Sequence, residues 1–175
     1  MTAFFLAVHV LAAILAIGPV AVAASMFPAA ARRAADRNTA ERNTAGRNTA
    51  DRNTPDRNTQ AGGLAVLRVL QRVCRVYAVA GLAVPVFGFA TASALGVLGD
   101  AWVVASVALT GAAAAILALA VLPGQEAVLA RLTAGNPLSA GAGVARLATL
   151  TGVFNLLWAA VTVLMIVRPG STTGV

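Results

Sequence analysis

The run from Ala3 to Phe27, AFFLAVHVLAAILAIGPVAVAASMF, constrains this chain more than any other stretch, because His9 is its only side chain able to carry a charge. A helix crossing a bilayer needs about 20 mostly apolar residues at about 1.5 Å each, and this run is long enough even when tilted. Its neighbours are therefore read in lipid. A secretory signal would carry its positive charge ahead of a short apolar stretch, whereas Met1 to Phe5 holds no Lys or Arg and Arg32 and Arg33 come afterwards. The expectation is a retained span with the N-terminus outside. Pro19 removes a backbone donor in its second half, so a kink is expected there.

Composition supports the same class: 59% hydrophobic residues, 11% charged residues and a mean hydropathy of +0.82 lie outside the range of soluble domains. A formal charge of +7 would suggest nucleic acid in a soluble chain, but here the arginines flank apolar spans, which positive-inside topology explains. The single cysteine, Cys74, excludes an intrachain disulfide and the multi-cysteine zinc and iron-sulfur frameworks. Lysine is absent while Ala, Gly and Arg abound, a codon signature of a GC-rich bacterial genome, which makes the bacterial cytoplasmic membrane the expected address.

Residues 36 to 60 are five copies of a pentapeptide, DRNTA, ERNTA, GRNTA, DRNTP and DRNTQ. A period of five does not match a helix, Asn and Thr are weak helix formers, and no unit offers an aliphatic or aromatic side chain to bury. The array is expected to be a disordered cytoplasmic linker born of tandem duplication. Its acidic residues largely cancel its arginines and it has no aromatic for base stacking, so nucleic acid is excluded as a partner.

From 64 to 75 the chain places Arg68, Arg72 and Arg75 on one helical face, with Leu67, Val69, Leu70 and Val73 away from it. This is a basic amphipathic interfacial segment whose natural counter-charge is anionic lipid, at about 1 kcal/mol per arginine near the surface. Three more spans are expected over about 76–97, 101–122 and 147–167. Gly88, Ala92 and Gly96 stand at the small-xxx-small spacing that allows close helix packing, and Trp102 lies where an interfacial aromatic belongs. Pro123 to Arg146 reads as an inner loop with a short surface helix. Twelve arginines then fall on one side and Arg168 alone on the other, so both termini are expected outside. The fold class is all-α: an up-and-down bundle of four transmembrane helices.

An ionisable group in lipid is a functional suspect by default, and His9 lies about 9 Å below the outer hydrocarbon boundary. Equal counting from the other outer ends brings Thr91, Ser106 or Thr110, and Thr162 to similar depth, a candidate polar layer. The bland role for His9 is a hydrogen bond to a backbone carbonyl or a threonine that joins helices. Asn155, midway along the fourth span, reads as an interhelical contact. A closed metal shell takes four to six ligands and the chain has one His, so His9 offers at most part of a haem or copper site. A serine triad would need a carboxylate on His9, and only Asp100 is on the correct side.

His9, Gly18-Pro19, the stretch RVYAVAGLAVPVFGFATA, LGDAW and FNLLWAAVTVLMIVRPGSTTG together resemble a family of bacterial integral membrane proteins, the domain-of-unknown-function family twenty-two sixty-nine. The resemblance spans nearly the whole chain except the pentapeptide array, which looks like an insertion into the first inner loop. It implies a fold and a location, since that family has no established activity. More distantly, His9 and Gly18 are similar to the four-helix membrane modules of the copper-resistance-D and haem-associated protoporphyrinogen-oxidase kind. Paired axial ligation of haem would then need His9 from two protomers.

The leading expectation is a small non-enzymatic accessory or interaction component without a cofactor. Its rivals are a haem- or copper-handling module using His9 and a small-solute permease formed by homo-oligomerisation around the polar layer.

Overall fold

Proline breaks this chain's helices at one position and is absorbed at others. The computed structural model describes residues 2–45, 55–136 and 140–170. Helix α1 covers Thr2–Ala45, α2 Pro55–Ala80, α3 Ala83–Leu95, α4 Ala101–Ile116, α5 Leu122–Thr133 and α6 Ala140–Val167, with a π turn at Leu117–Val121 joining α4 to α5. No strand occurs among the described residues. Pro85 cannot donate to the carbonyl of Gly81, and α2 stops there: the Gly81 amide closes onto Tyr77 at 2.8 Å, and the Gly81 carbonyl accepts from Val84 at 3.1 Å before α3 resumes. Pro123 sits in the first turn of α5, just after the π turn, in which the Leu122 amide reaches back to the Leu117 carbonyl. That wider turn lets one helix run from Ala101 to Thr133 in spite of the proline. Pro19 and Pro28 lie within α1 and do not interrupt it.

Four helices are long and apolar enough to cross a membrane: Thr2–Ala40, Ala61–Leu95, Ala101–Thr133 and Gly141–Val167. Helix α1 packs on α2 and α3 along one side and on α6 along another, α5 packs on α2 and α6, and α4 packs on α6. The spans therefore stand around the bundle in chain order, each antiparallel to the next. Their contacts are unevenly spread, since α3 and α4 barely touch. One continuous core joins Val20, Ala24, Phe27 and Ala31 of α1, Leu67 and Cys74 of α2, Leu117 and Val121 of the π turn, Val128 and Leu132 of α5, and Val144, Leu147 and Phe154 of α6. Large apolar side chains such as Leu11, Ile14, Leu15, Val79, Leu119, Leu156 and Ile166 are exposed all around the bundle. An apolar surface of that extent suits contact with lipid and not with water.

Charged groups bracket the spans. From Arg146 to Arg168 along α6 is about 33 Å at 1.5 Å per residue, close to the roughly 30 Å of a hydrocarbon core. At the end with the single arginine, α3 terminates on Gly96, whose φ of 70° places it in the left-handed region, and Asp100 opens α4. Trp102 donates its indole hydrogen to Asp100 Oδ2 at 3.0 Å, and the Arg168 guanidinium lies 5.7 Å from the Trp102 ring centre. Arg168 itself turns out of α6 with a φ of 44°. This cluster ties the start of the third span to the end of the fourth.

The structure departs from the sequence expectations at the basic end. The expected linker over 36–60 is helical at 36–45 and 55–60, and its middle, 46–54, lies outside the described residues. A helix already nucleated by the span extends one residue at a time, so weak formers such as Asn and Thr can continue what they could not start. The start of the first extension lies against α2: Asn38 is buried, and a Cβ at Gly63 would come 3.7 Å from Arg37 Nη1. The segment 64–75 lies within helix α2, with Leu67 and Cys74 turned into the core. The expected inner loop from Pro123 is helical to Thr133, and α6 already begins at Ala140.

Candidate functional site

The ring of His9 rests against the backbone of α3. Its Nδ1 lies 2.8 Å from the Val84 carbonyl oxygen, and a Cβ on Gly88 would fall 2.9 Å from His9 Cε1. Only glycine leaves the room that the imidazole fills, so two sequence features, the lone intramembrane His and the first small residue of the Gly88-Ala92-Gly96 series, prove to be one contact. A carbonyl only accepts, so Nδ1 carries the hydrogen and donates it. In its neutral form such a ring keeps a lone pair on Nε2. His9 is 8% exposed, held between α1 and α3.

Three other members of the expected polar layer turn to their own helices. Thr91 Oγ1 donates to the Phe87 carbonyl at 2.7 Å, Ser106 Oγ to Trp102 at 2.8 Å and Thr162 Oγ1 to Trp158 at 2.9 Å. Thr91 and Ser106 are buried, Thr110 is half-buried and Thr162 is exposed. The hydroxyls of Thr91, Ser106 and Thr162 each find their acceptor four residues back along their own helix. Gly96, the last of the small-residue series, caps α3 instead of packing.

Asn155 joins helices as its position suggests, donating through Nδ2 to Ser25 Oγ of α1 at 3.0 Å. Asn155 Oδ1, the Thr151 hydroxyl and the Trp158 indole nitrogen, all on α6, are buried with no hydrogen-bond partner among the described residues. Sequence reasoning missed Thr151 and Trp158. Their spacing from Asn155, four back and three on, is the signal that puts all three on one helical face.

At the basic end, Gln125 is fully buried, with Nε2 3.5 Å from Cys74 Sγ. It escaped notice because the sequence places it in a loop after Pro123. Beside it, Arg75 pairs with Glu126, an α2 to α5 bond between half-exposed side chains. Of the three arginines expected to meet lipid headgroups, Arg68 and Arg72 remain without an ion pair among the described residues, and Arg75 has a protein partner. A shallow groove of about 500 Å³ runs between α2 and α5, lined by Arg68 and Gln71 on one side and Glu126, Leu129, Ala130 and Thr133 on the other.

No family model, curated protein or solved structure matches this chain. The four spanning-length helices support a membrane protein, and the chemistry of the sites must be argued from their own geometry. Among the described residues no three His, Cys, Asp or Glu side chains converge on a point that could hold a metal ion. His9 Nε2, taken alone, fits a single axial position and not a closed shell.

Proposed function

We propose that this chain is a multi-pass protein of the bacterial cytoplasmic membrane, both termini outside, that serves as a non-enzymatic accessory or interaction component. It fits the family of unknown function that its sequence resembles. The observation that supports this reading is the use made of intramembrane polar groups: His9, Thr91, Ser106 and Thr162 all bond to backbone carbonyls, and Asn155 bonds to Ser25. These are the bonds of a scaffold in lipid, where a polar side chain is spent on holding helices together or on its own backbone. Orientation follows from the arginines, which gather at the end where α1 meets α2 and α5 meets α6.

A second reading is favoured by the tautomer of His9. An imidazole whose Nδ1–H is held by a backbone carbonyl presents Nε2 in the form that ligates iron or copper. His9 would supply one axial ligand, with a second copy of the chain supplying another.

The two readings separate in an ultraviolet-visible spectrum and metal analysis of the detergent-purified protein beside a His9→Ala variant. The accessory reading expects no Soret band and no stoichiometric copper in either. A band or copper content that disappears in the variant overturns it in favour of the second. Solute flux in proteoliposomes that falls on replacing His9 or Asn155 would instead point to a permease.

A further inference from the structure

We infer that the groove between α2 and α5 is a binding site for one anionic phospholipid, its headgroup phosphate held by Arg68 and Gln71 and its glycerol backbone lying on Leu129 and Ala130. The inference depends on the bilayer placement of the bundle and not on its accessory role.

Depth is the first ground. Arg75, Glu126 and Arg146 mark where charge begins at this end of the bundle, and from Arg75 to Arg68 along α2 is about 10 Å at 1.5 Å per residue. The polar zone outside each face of the hydrocarbon is about 5–8 Å deep, so Gln71, about 6 Å beyond Arg75, falls within it, and Arg68, just past it, lines the same groove as Glu126 at its inner edge. Chemistry is the second. Arg68 and Gln71, one turn apart, present a planar guanidinium and an amide on the same wall, and a guanidinium matches phosphate oxygens two at a time. Arg68 has no ion pair among the described residues, so its charge is not already answered by the protein. Glu126, the one anionic side chain lining the groove, is neutralised by Arg75. The facing wall of Leu129 and Ala130 offers apolar surface and no competing donor. Thr133 Oγ1 spends its hydrogen on the Leu129 carbonyl at 2.9 Å.

Charge complementarity chooses the occupant. A zwitterionic lipid brings a cationic ammonium group beside its phosphate, and in a groove whose one unpaired lining charge among the described residues is that of Arg68 this group is repelled. A phosphatidylglycerol headgroup brings the phosphate alone.

The test is native mass spectrometry of the full-length protein in mild detergent with added phosphatidylglycerol or phosphatidylcholine. Wild type should retain phosphatidylglycerol in preference, and Arg68→Gln with Gln71→Leu should lower that retention about tenfold. Arg146→Gln, at the same end but outside the groove, should change it by less than about twofold. Ala130→Trp, which fills the apolar wall and leaves every charge in place, should also expel the lipid. Glu126→Gln, which frees Arg75, should raise retention. Equal retention of the two lipids, an Arg146→Gln loss as large as that of the groove variants, or unchanged binding in Ala130→Trp would each overturn the site. So would an acidic peptide that binds the groove in place of the lipid. Far-ultraviolet circular dichroism identifies any variant that has failed to fold, and Ala130→Trp and Glu126→Gln, both at exposed positions, keep the proposal open to refutation if the double variant does so.

Discussion

The two halves of this bundle are held together by different means. At the basic half α1, α2, α5 and α6 interlock around fully buried Phe27, Leu67, Val121, Leu132 and Leu147. At the other half the buried groups are fewer, smaller and often polar, His9, Val84, Thr91, Val103, Ser106 and Val161, and they do not join the continuous core. Lipid tails are as apolar as leucine, so burial of apolar area gives helices in a bilayer little reason to associate, and close packing and hydrogen bonds must do so. The basic half solves this by dense packing. The half that carries His9 solves it by close backbone approach and single bonds, with α3 and α4 barely in contact.

The first consequence is the largest. Phe27→Ala should cost about 3 kcal/mol in reversible unfolding from detergent, the low end of the range for such truncations, because the lost transfer term is small in lipid while the cavity remains. Val84→Ala, its counterpart in the other half, should cost about 1 kcal/mol or less. Equal losses would show that the two halves are one cooperative core and would erase the contrast.

Next in size is the contact that replaces a core in the second half. Gly88→Ala puts a methyl group where His9 Cε1 already lies 2.9 Å away, so α1 and α3 must separate, at about 1–3 kcal/mol. His9→Ala removes the obstruction together with the bond to Val84. Combined, the two should cost much less than their sum, and a simple sum would mean that the ring does not rest on Gly88. Asn155→Ala comes third, at about 0.6–1.7 kcal/mol for the bond to Ser25. Adding Ser25→Ala should bring little further loss.

The sequence made the architecture legible because lipid imposes so strict a rule: long apolar stretches, bracketed by arginine and tryptophan, can be counted without knowing how they pack. Four spans and their antiparallel order followed from that counting, and the structure is all-helical with four such helices. Helix ends were less legible. Pro19 and Pro28 leave α1 unbroken, Pro85 breaks a span and Pro123 is absorbed by a π turn, because the cost of a missing donor depends on whether the neighbouring turn can re-bond, a property of the packed bundle. The polar layer was legible in depth and not in direction. Thr91 faces the interior and Thr162 faces outward at similar depth, and only the rotation of each helix about its axis decides between them.

The smallest effect belongs to the most conspicuous ion pair. Arg75 and Glu126 meet across α2 and α5 with side chains 59% and 53% exposed, so water and salt screen their attraction. Arg75→Ala should change stability by about 0–1 kcal/mol, and less in high salt. Tight packing of Leu67 and Cys74 immediately beneath already fixes α2 against α5, which leaves the pair little to add. If Arg75→Ala proved as costly as Phe27→Ala, the basic half would be held by charge at its rim and not by its core, and the contrast between the two halves would have to be redrawn as one between two kinds of polar contact.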